Sequence, residues 1–315
     1  MGNIDEPRIE AEEKIRGDIV EIRKLLKKIA REAREGVKSD VAEARVILKR
    51  IAKEARGVGI EEIEHRVEKK IGKTMAIMAE SAINSGSVVT KEMDFSDFSN
   101  VEVDSSFKVE ITRSDSYRVT VTANKKLFDY IDVTKSGNTL KVSLKLFRIH
   151  FYMRPTLEVR IVMPTLNKLR LSGATRSIVR GFSSQESFDL NLSGASHLDI
   201  GMEAGEANLE ISGASKVSGN MKVGNAEFTL SGASRAELSG AAKNVILSAW
   251  GASKLELADF ALNDTSVHLK GASRATINVN GKLDLDVSGA SKLDYVGNPT
   301  LRDVNVSGAS RLRHR

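Results

Sequence analysis

The 315 residues contain no cysteine, which excludes disulfide staples, thiolate nucleophiles and cysteine metal sites and fits a reducing compartment. Aromatic residues make up only 5%, so any core must be built from Leu, Ile, Val and Ala. The five histidines, at 65, 150, 197, 268 and 314, lie too far apart for metal-ligand spacing. No apolar run approaches the roughly 20 residues of a membrane-spanning helix; "MAIMA" is the nearest. The opening "MGNIDEPRIEAEEK" is acidic and polar, unlike a secretory signal, and Glu6 stands where a myristoylation pattern wants Ser or Thr. A net charge of +6 is small for this length, so any role for charge must come from its distribution.

Two regimes of pattern follow one another. Up to Asn84 the chain holds 19 Lys/Arg against 17 Asp/Glu, near balance. Ile15, Ile19, Ile22, Leu26, Ile29 and Ala33 step alternately by four and three, the spacing of a coiled-coil seam. Val41, Ala44, Leu48, Ile51 and Ala55 repeat it after Gly36, with Asp40 and Glu43 placed as a capping pair. Ile60, Ile63, Val67, Ile71, Met75 and Met78 form a third stretch. Residues 1–86 are therefore expected to form two or three amphipathic helices, folded as a hairpin or paired with another chain.

From about Ser87 the period becomes two. Val101, Val103, Val109, Ile111, Val119 and Val121 alternate with polar residues, as in half-buried strands. "SGN" at 136–138 reads as a turn, and Pro164 ends "TLEVRIVMP". These lead-in strands occupy 87–168. Then "SGAS", followed by a basic residue, returns through 169–315.

The corner glycines are Gly173, Gly194, Gly213, Gly232, Gly251, Gly271, Gly289 and Gly308, separated by 21, 19, 19, 19, 20, 18 and 19 residues. Such a period belongs to a solenoid. Apolar residues sit four and two before each glycine and about four and six after it, as Phe228 and Leu230 or Leu255 and Leu257 do. The expectation is a mainly β chain: a single-stranded β-helix of about eight rungs of ~19 residues, preceded by the helical segment. Each unit reads as two short strands bent at Gly-Ala, plus a second turn. Alanine is expected inside the bend, and the serines to form hydroxyl ladders between rungs. "LSAWGAS" reads as a corner with two extra residues, carrying the lone Trp250.

Three residues after each glycine stand Arg176, His197, Lys216, Arg235, Lys254, Arg274, Lys292 and Arg311. Two residues further come Asp199, Glu237, Glu256 and Asp294. The row is either a lattice of cross-rung ion pairs or an array for a polyanionic carbohydrate. Trp250 either covers its corner or stacks on a sugar or partner. "LFRIHFYMRP" at 146–155 mixes aromatic and basic residues, but its alternation suits packing better than nucleic acid, which is not an expected partner. Arg311, Arg313 and Arg315 would discourage edge pairing of the last unit, unless the helices cover one end.

The passages "FSNVEVDSSFKVEITRSDSYRVTVTAN" and "LEVRIVMPTLNKLRLSGAT", with units such as "GASKLEL", resemble the GIN-domain family, the head domains of autotransporter adhesins. The resemblance covers about residues 91–315 and leaves the N-terminal segment uncovered. It implies a β-helical fold with no catalytic residues and no cofactor or metal. Members commonly start with a secretion or lipoprotein-type signal, where this chain has a charged helical segment. The expected compartment is cytoplasmic as the chain is written, and cell-surface or secreted if the family role and a processed start apply.

The function expected is a non-enzymatic, adhesin-like binding scaffold, with self-association or partner docking through 1–86. The alternatives are a polymerising scaffold similar in architecture to bactofilins, and a protein that binds or processes acidic polysaccharide. For the last, the acids recur as repeat positions rather than as a paired acid and base.

Overall fold

The computed structural model describes residues 87–145 and 156–315. The helices expected over 1–86 and the stretch 146–155 lie outside the described residues. The chain divides into two compact units, the larger taking Thr90–Ala123, Tyr130–Lys145 and Leu157–Arg315. Of the smaller, residues 87–89, 124–129 and 156 are described.

The larger unit is a β-solenoid, as the repeat predicts. Alternation places one set of side chains inward, and parallel register stacks them into columns. Leu190, Leu209, Phe228, Leu247, Val267 and Leu285 form one such column, and all are buried. Leu198, Val217, Ala236, Leu255, Ala275 and Leu293 form another across the corner. Each buried Leu, Ile or Val contributes roughly 1.5–3 kcal/mol before chain entropy is subtracted. A single rung has no second layer to cover its apolar face, so stability comes from stacking.

The lead-in joins the same ladder. Lys108–Arg113 lies parallel to both Leu157–Met163 and Arg176–Ser183. Ile131–Ser136 and Thr139–Leu144 form an antiparallel hairpin over the expected turn, where Gly137 has φ 54°. Arg118–Asn124 runs antiparallel to Leu157–Met163.

At every corner the backbone repeats one arrangement. Gly232 sits at φ 73°, and the N–H of Ala233 donates to the Gly213 carbonyl of the rung below at 2.8 Å. The other seven glycines have φ between 68° and 80°. A ninth corner lies in the lead-in, where Ser105 takes the glycine's place at φ 84° and its carbonyl accepts from Ala174 N–H. "VDSSFK" hides this rung because Ser105, Ser106 and Phe107 replace the Gly-Ala-Ser of the repeat, and only the basic Lys108 keeps its place. A left-handed serine is strained by about 1–2 kcal/mol, part of which glycine gives back in unfolded-chain entropy. Ser105→Gly should therefore raise stability by about 0.5–1 kcal/mol, read as a higher urea midpoint at unchanged slope.

Four local expectations are corrected. The second turn is absent from the central rungs, where strands such as His197–Ile211 and Lys216–Leu230 run unbroken for 15 residues. They bend instead where two successive side chains face outward, as at Gly205 and Glu206. The corner alanines are exposed, while the serine after each, such as Ser215 or Ser234, is the buried residue. Sterically, the left-handed glycine swings the next side chain outward and returns the following one to the core.

Among the described residues the corner serines form no hydroxyl-to-hydroxyl ladder; Ser212, Ser288, Ser291 and Ser310 reach carbonyls of the neighbouring rung at 3.3 to 3.5 Å. Ser253 and Ser273 donate to the carbonyls of Trp250 and Lys270 in their own corners, at 2.7 and 2.9 Å. Thr175, Ser196, Ser215 and Ser234 have buried hydroxyls without a hydrogen-bond partner.

Finally, the Trp250 corner carries no insertion. Trp250 occupies the position of Ser231, with its N–H on the Leu230 carbonyl at 3.0 Å. The extra residue that makes the next step 20 lies in the strand Lys254–Leu269, where Ala258 and Asp259 both face out and the register shifts.

Candidate functional site

The basic row is a true column. Register pairs Lys108 with Arg176, then His197, Lys216, Arg235, Lys254, Arg274, Lys292 and Arg311 in turn. Lys108 was not legible as a member, because its rung lacks the glycine. Beside it runs a column of Asp199, Ser218, Glu237, Glu256, Thr276 and Asp294.

The two columns pair across the middle of the sheet. Lys216 and Arg235 both bridge to Glu237, and Lys254 bridges to Glu256 at 2.6 Å. The hydrogen bond from Lys216 and the charges of Lys216, Arg235 and Lys254 hold the Glu237 carboxyl below its ordinary range, against the opposing effect of burial. A depressed carboxylate of this kind stabilises the fold at neutral pH, an effect lost as pH falls through its folded-state value. It is a fixed counter-ion, ill suited to trading protons. Asp199 is held by Arg180, and Asp294 by Arg313 and Arg315. Arg176, His197, Arg274, Lys292 and Arg311 have no ion pair among the described residues.

A different face carries a groove of about 530 Å³. Its walls are two outward columns. The first is Glu206, Asn225, Asn244 and Asp264. The second is Asp189, Asn208, Glu227, Ile246, Ser266 and Asp284. An amide ladder ties the first: Asn244 Nδ2 donates to Asn225 Oδ1 at 2.9 Å, and Asn225 Nδ2 to Glu206 Oε1 at 3.2 Å. Arg302 clamps Asp284 and, with the Asp303 N–H, holds that carboxyl below its ordinary range. Asp189, Asn208 and Glu227 have no side-chain partner among the described residues.

On the rung Arg235–Ala249 this face turns apolar. Ile246, Ser248 and Trp250 point outward in alternation with Val245, Leu247 and Ala249. Ile246 is 47% and Trp250 46% exposed. Trp250 thus leaves about half of its surface open to solvent at its corner. The Ser253 hydroxyl bonded to the Trp250 carbonyl fixes the backbone from which it projects.

Comparison with known proteins assigns the architecture. The family model described as putative auto-transporter adhesin, head GIN domain, matches residues 97–299. The chain belongs to this family. A GIN-domain membership agrees with the resemblance carried by the lead-in and the repeats.

Solved structures share the fold. A putative lipid binding protein from Parabacteroides distasonis is 17% identical with a TM-score of 0.69, covering 74% of this chain and 98% of its own. A putative adhesin from Parabacteroides merdae is 18% identical with a TM-score of 0.65, over the same shares. A putative adhesin from Bacteroides fragilis, also 18% identical, has a TM-score of 0.57 over 74% of this chain and 99% of its own. No curated protein matches the chain. Among the described residues no helix is long and apolar enough to cross a membrane.

Proposed function

We propose that this GIN-domain protein is a non-enzymatic, adhesin-like binding scaffold acting at a cell surface, whose segment 1–86 gathers several copies. The observation that carries this reading is the in-register repetition of outward side chains along the solenoid. A surface that presents the same groups on rung after rung is suited to an extended polymer, and several copies would multiply a weak contact. Glu237 and Asp284, each paired with its own cation, are fixed counter-ions rather than proton donors, which accords with a non-enzymatic surface.

An acidic polysaccharide fits the basic column less well. Its middle rungs are already neutralised, leaving two short unpaired stretches among the described residues, Arg176 with His197 and Arg274 with Lys292 and Arg311.

A polymerising scaffold is the second reading, favoured by one feature. Among the described residues Thr300–Val306 and Arg311–His314 each pair on one side only, and Leu301, Val304 and Val306 are exposed there. Such an edge can accept another strand.

Light scattering separates the two. The full chain is expected to form a defined small oligomer, and a chain starting at Ser87 to be monomeric. Open-ended growth with concentration that survives truncation would instead establish the polymer, and a monomeric full chain would end both.

A further inference from the structure

The groove face has two properties that together select a ligand class. Its charge is predominantly negative: Asp189, Glu206, Glu227, Asp264 and Asp284 line the groove against Lys282 and Arg302, and Arg302 is already bound to Asp284. A polyanion is therefore repelled. Ile246 stands among these carboxylates and amides, and on the same rung the exposed Trp250 follows beyond the groove, about 13 Å further by strand rise. An indole ring has a flat apolar face, and Trp250 leaves 46% of its surface open.

Flat apolar surface beside unpaired hydroxyl acceptors is complementary to a sugar ring, which has one C–H face and a rim of hydroxyl groups. We infer that this face binds an uncharged glycan, with Trp250 as the stacking platform and Glu227 and Asn208 as hydrogen-bond partners of sugar hydroxyls. Ile246, beside Glu227, packs against a second ring further along the same glycan. A protein partner is the poorer occupant, since Ser248 separates the two apolar side chains and polar columns flank them, too little for the apolar centre of a stable interface. The glycan assignment rests on the binding-scaffold reading and gives that scaffold its ligand.

Trp250 is the chain's only tryptophan, so the intrinsic fluorescence of the full-length protein reports on this site alone. The probes are hexasaccharides of β-1,4-linked glucose, mannose and N-acetylglucosamine, with polygalacturonate as the acidic comparison. At least one neutral hexasaccharide should shift Trp250 emission saturably at millimolar concentration or below, and polygalacturonate should not.

By calorimetry, Trp250→Ala should weaken that binding by about tenfold or more. Glu227→Ala should weaken it by a smaller factor while the emission shift persists at saturation. Both residues are surface positions, and unchanged circular dichroism checks the fold.

The inference is overturned if no neutral hexasaccharide moves the emission, if polygalacturonate binds as well, or if Trp250→Ala binds normally. Binding of a protein that competes for Trp250 where no sugar does would also overturn it. A monomeric full chain that still binds sugar would instead sink assembly and leave the site standing.

Discussion

Gly232→Val is expected to lose about 3–5 kcal/mol, and the loss will spread beyond its own rung. Two costs add. At φ 73° a β-branched residue is far outside its comfortable backbone region. A Cβ at this position would also lie 2.7 Å from the Gly213 carbonyl oxygen, which is the acceptor for the Ala233 N–H. The clash therefore attacks the hydrogen bond joining two rungs, and neither backbone can retreat without disturbing the next corner. Ala233→Ser, one residue away, should change stability by less than about 0.5 kcal/mol, because that side chain is exposed. Rung-resolved hydrogen exchange is the suitable measurement, as solenoids need not unfold in one step. Equal protection in the valine variant and the wild type would refute the corner geometry.

Phe260→Ala should cost about 3–5 kcal/mol, for a different reason. Phe260 is fully buried and meets Phe228 edge to face, with ring centroids 6.2 Å apart at 87°. Its register partner is Gly240, at φ 124°, which has no side chain to offer if the ring is lost. Removing the ring leaves a void that Gly240 cannot fill. Gly240 cannot be enlarged to compensate either, since a Cβ there would fall 1.8 Å from the Met221 carbonyl oxygen. Urea unfolding should show a lower midpoint for Phe260→Ala, and a shift worth less than about 1 kcal/mol would mean that the rungs collapse freely around the gap.

These two positions differ in how readable they are. Gly232 announces itself, because the same letters recur every nineteen residues or so and only a corner explains them. The pairing of Gly240 with Phe260 is invisible in the chain, since an extra residue at Ala258 and Asp259 shifts the register between the two strands. The first corner, at Ser105, was hidden for the opposite reason: its backbone matches the others, but its letters do not.

The candidate surfaces divide in the same way. The basic column was legible because one residue per repeat in a parallel ladder must stack, whatever the details of the turn. Its neutralisation by Glu237 and Glu256 depended on rotamers: Arg235 and Lys254 turn to the acid two residues on in their own strands, and Lys216 reaches across a rung. The groove, with Asn208, Glu227 and Ile246, left no repeated letter to find. Its columns vary from rung to rung, so no period marks them.

Period and alternation by themselves determined the β-solenoid, its corners, its inward aliphatic columns and its row of basic residues. They suffice because a repeat that buries its face only by stacking leaves one arrangement in which every rung is satisfied. Tertiary structure alone decided the outward alanines, the buried serines, the ion-pair lattice and the exposed Trp250 beside an acidic groove. Those features follow from where a left-handed glycine aims the next two side chains, from the rotamers of paired charges, and from residues 19 to 21 apart meeting across a rung, none of which local pattern encodes.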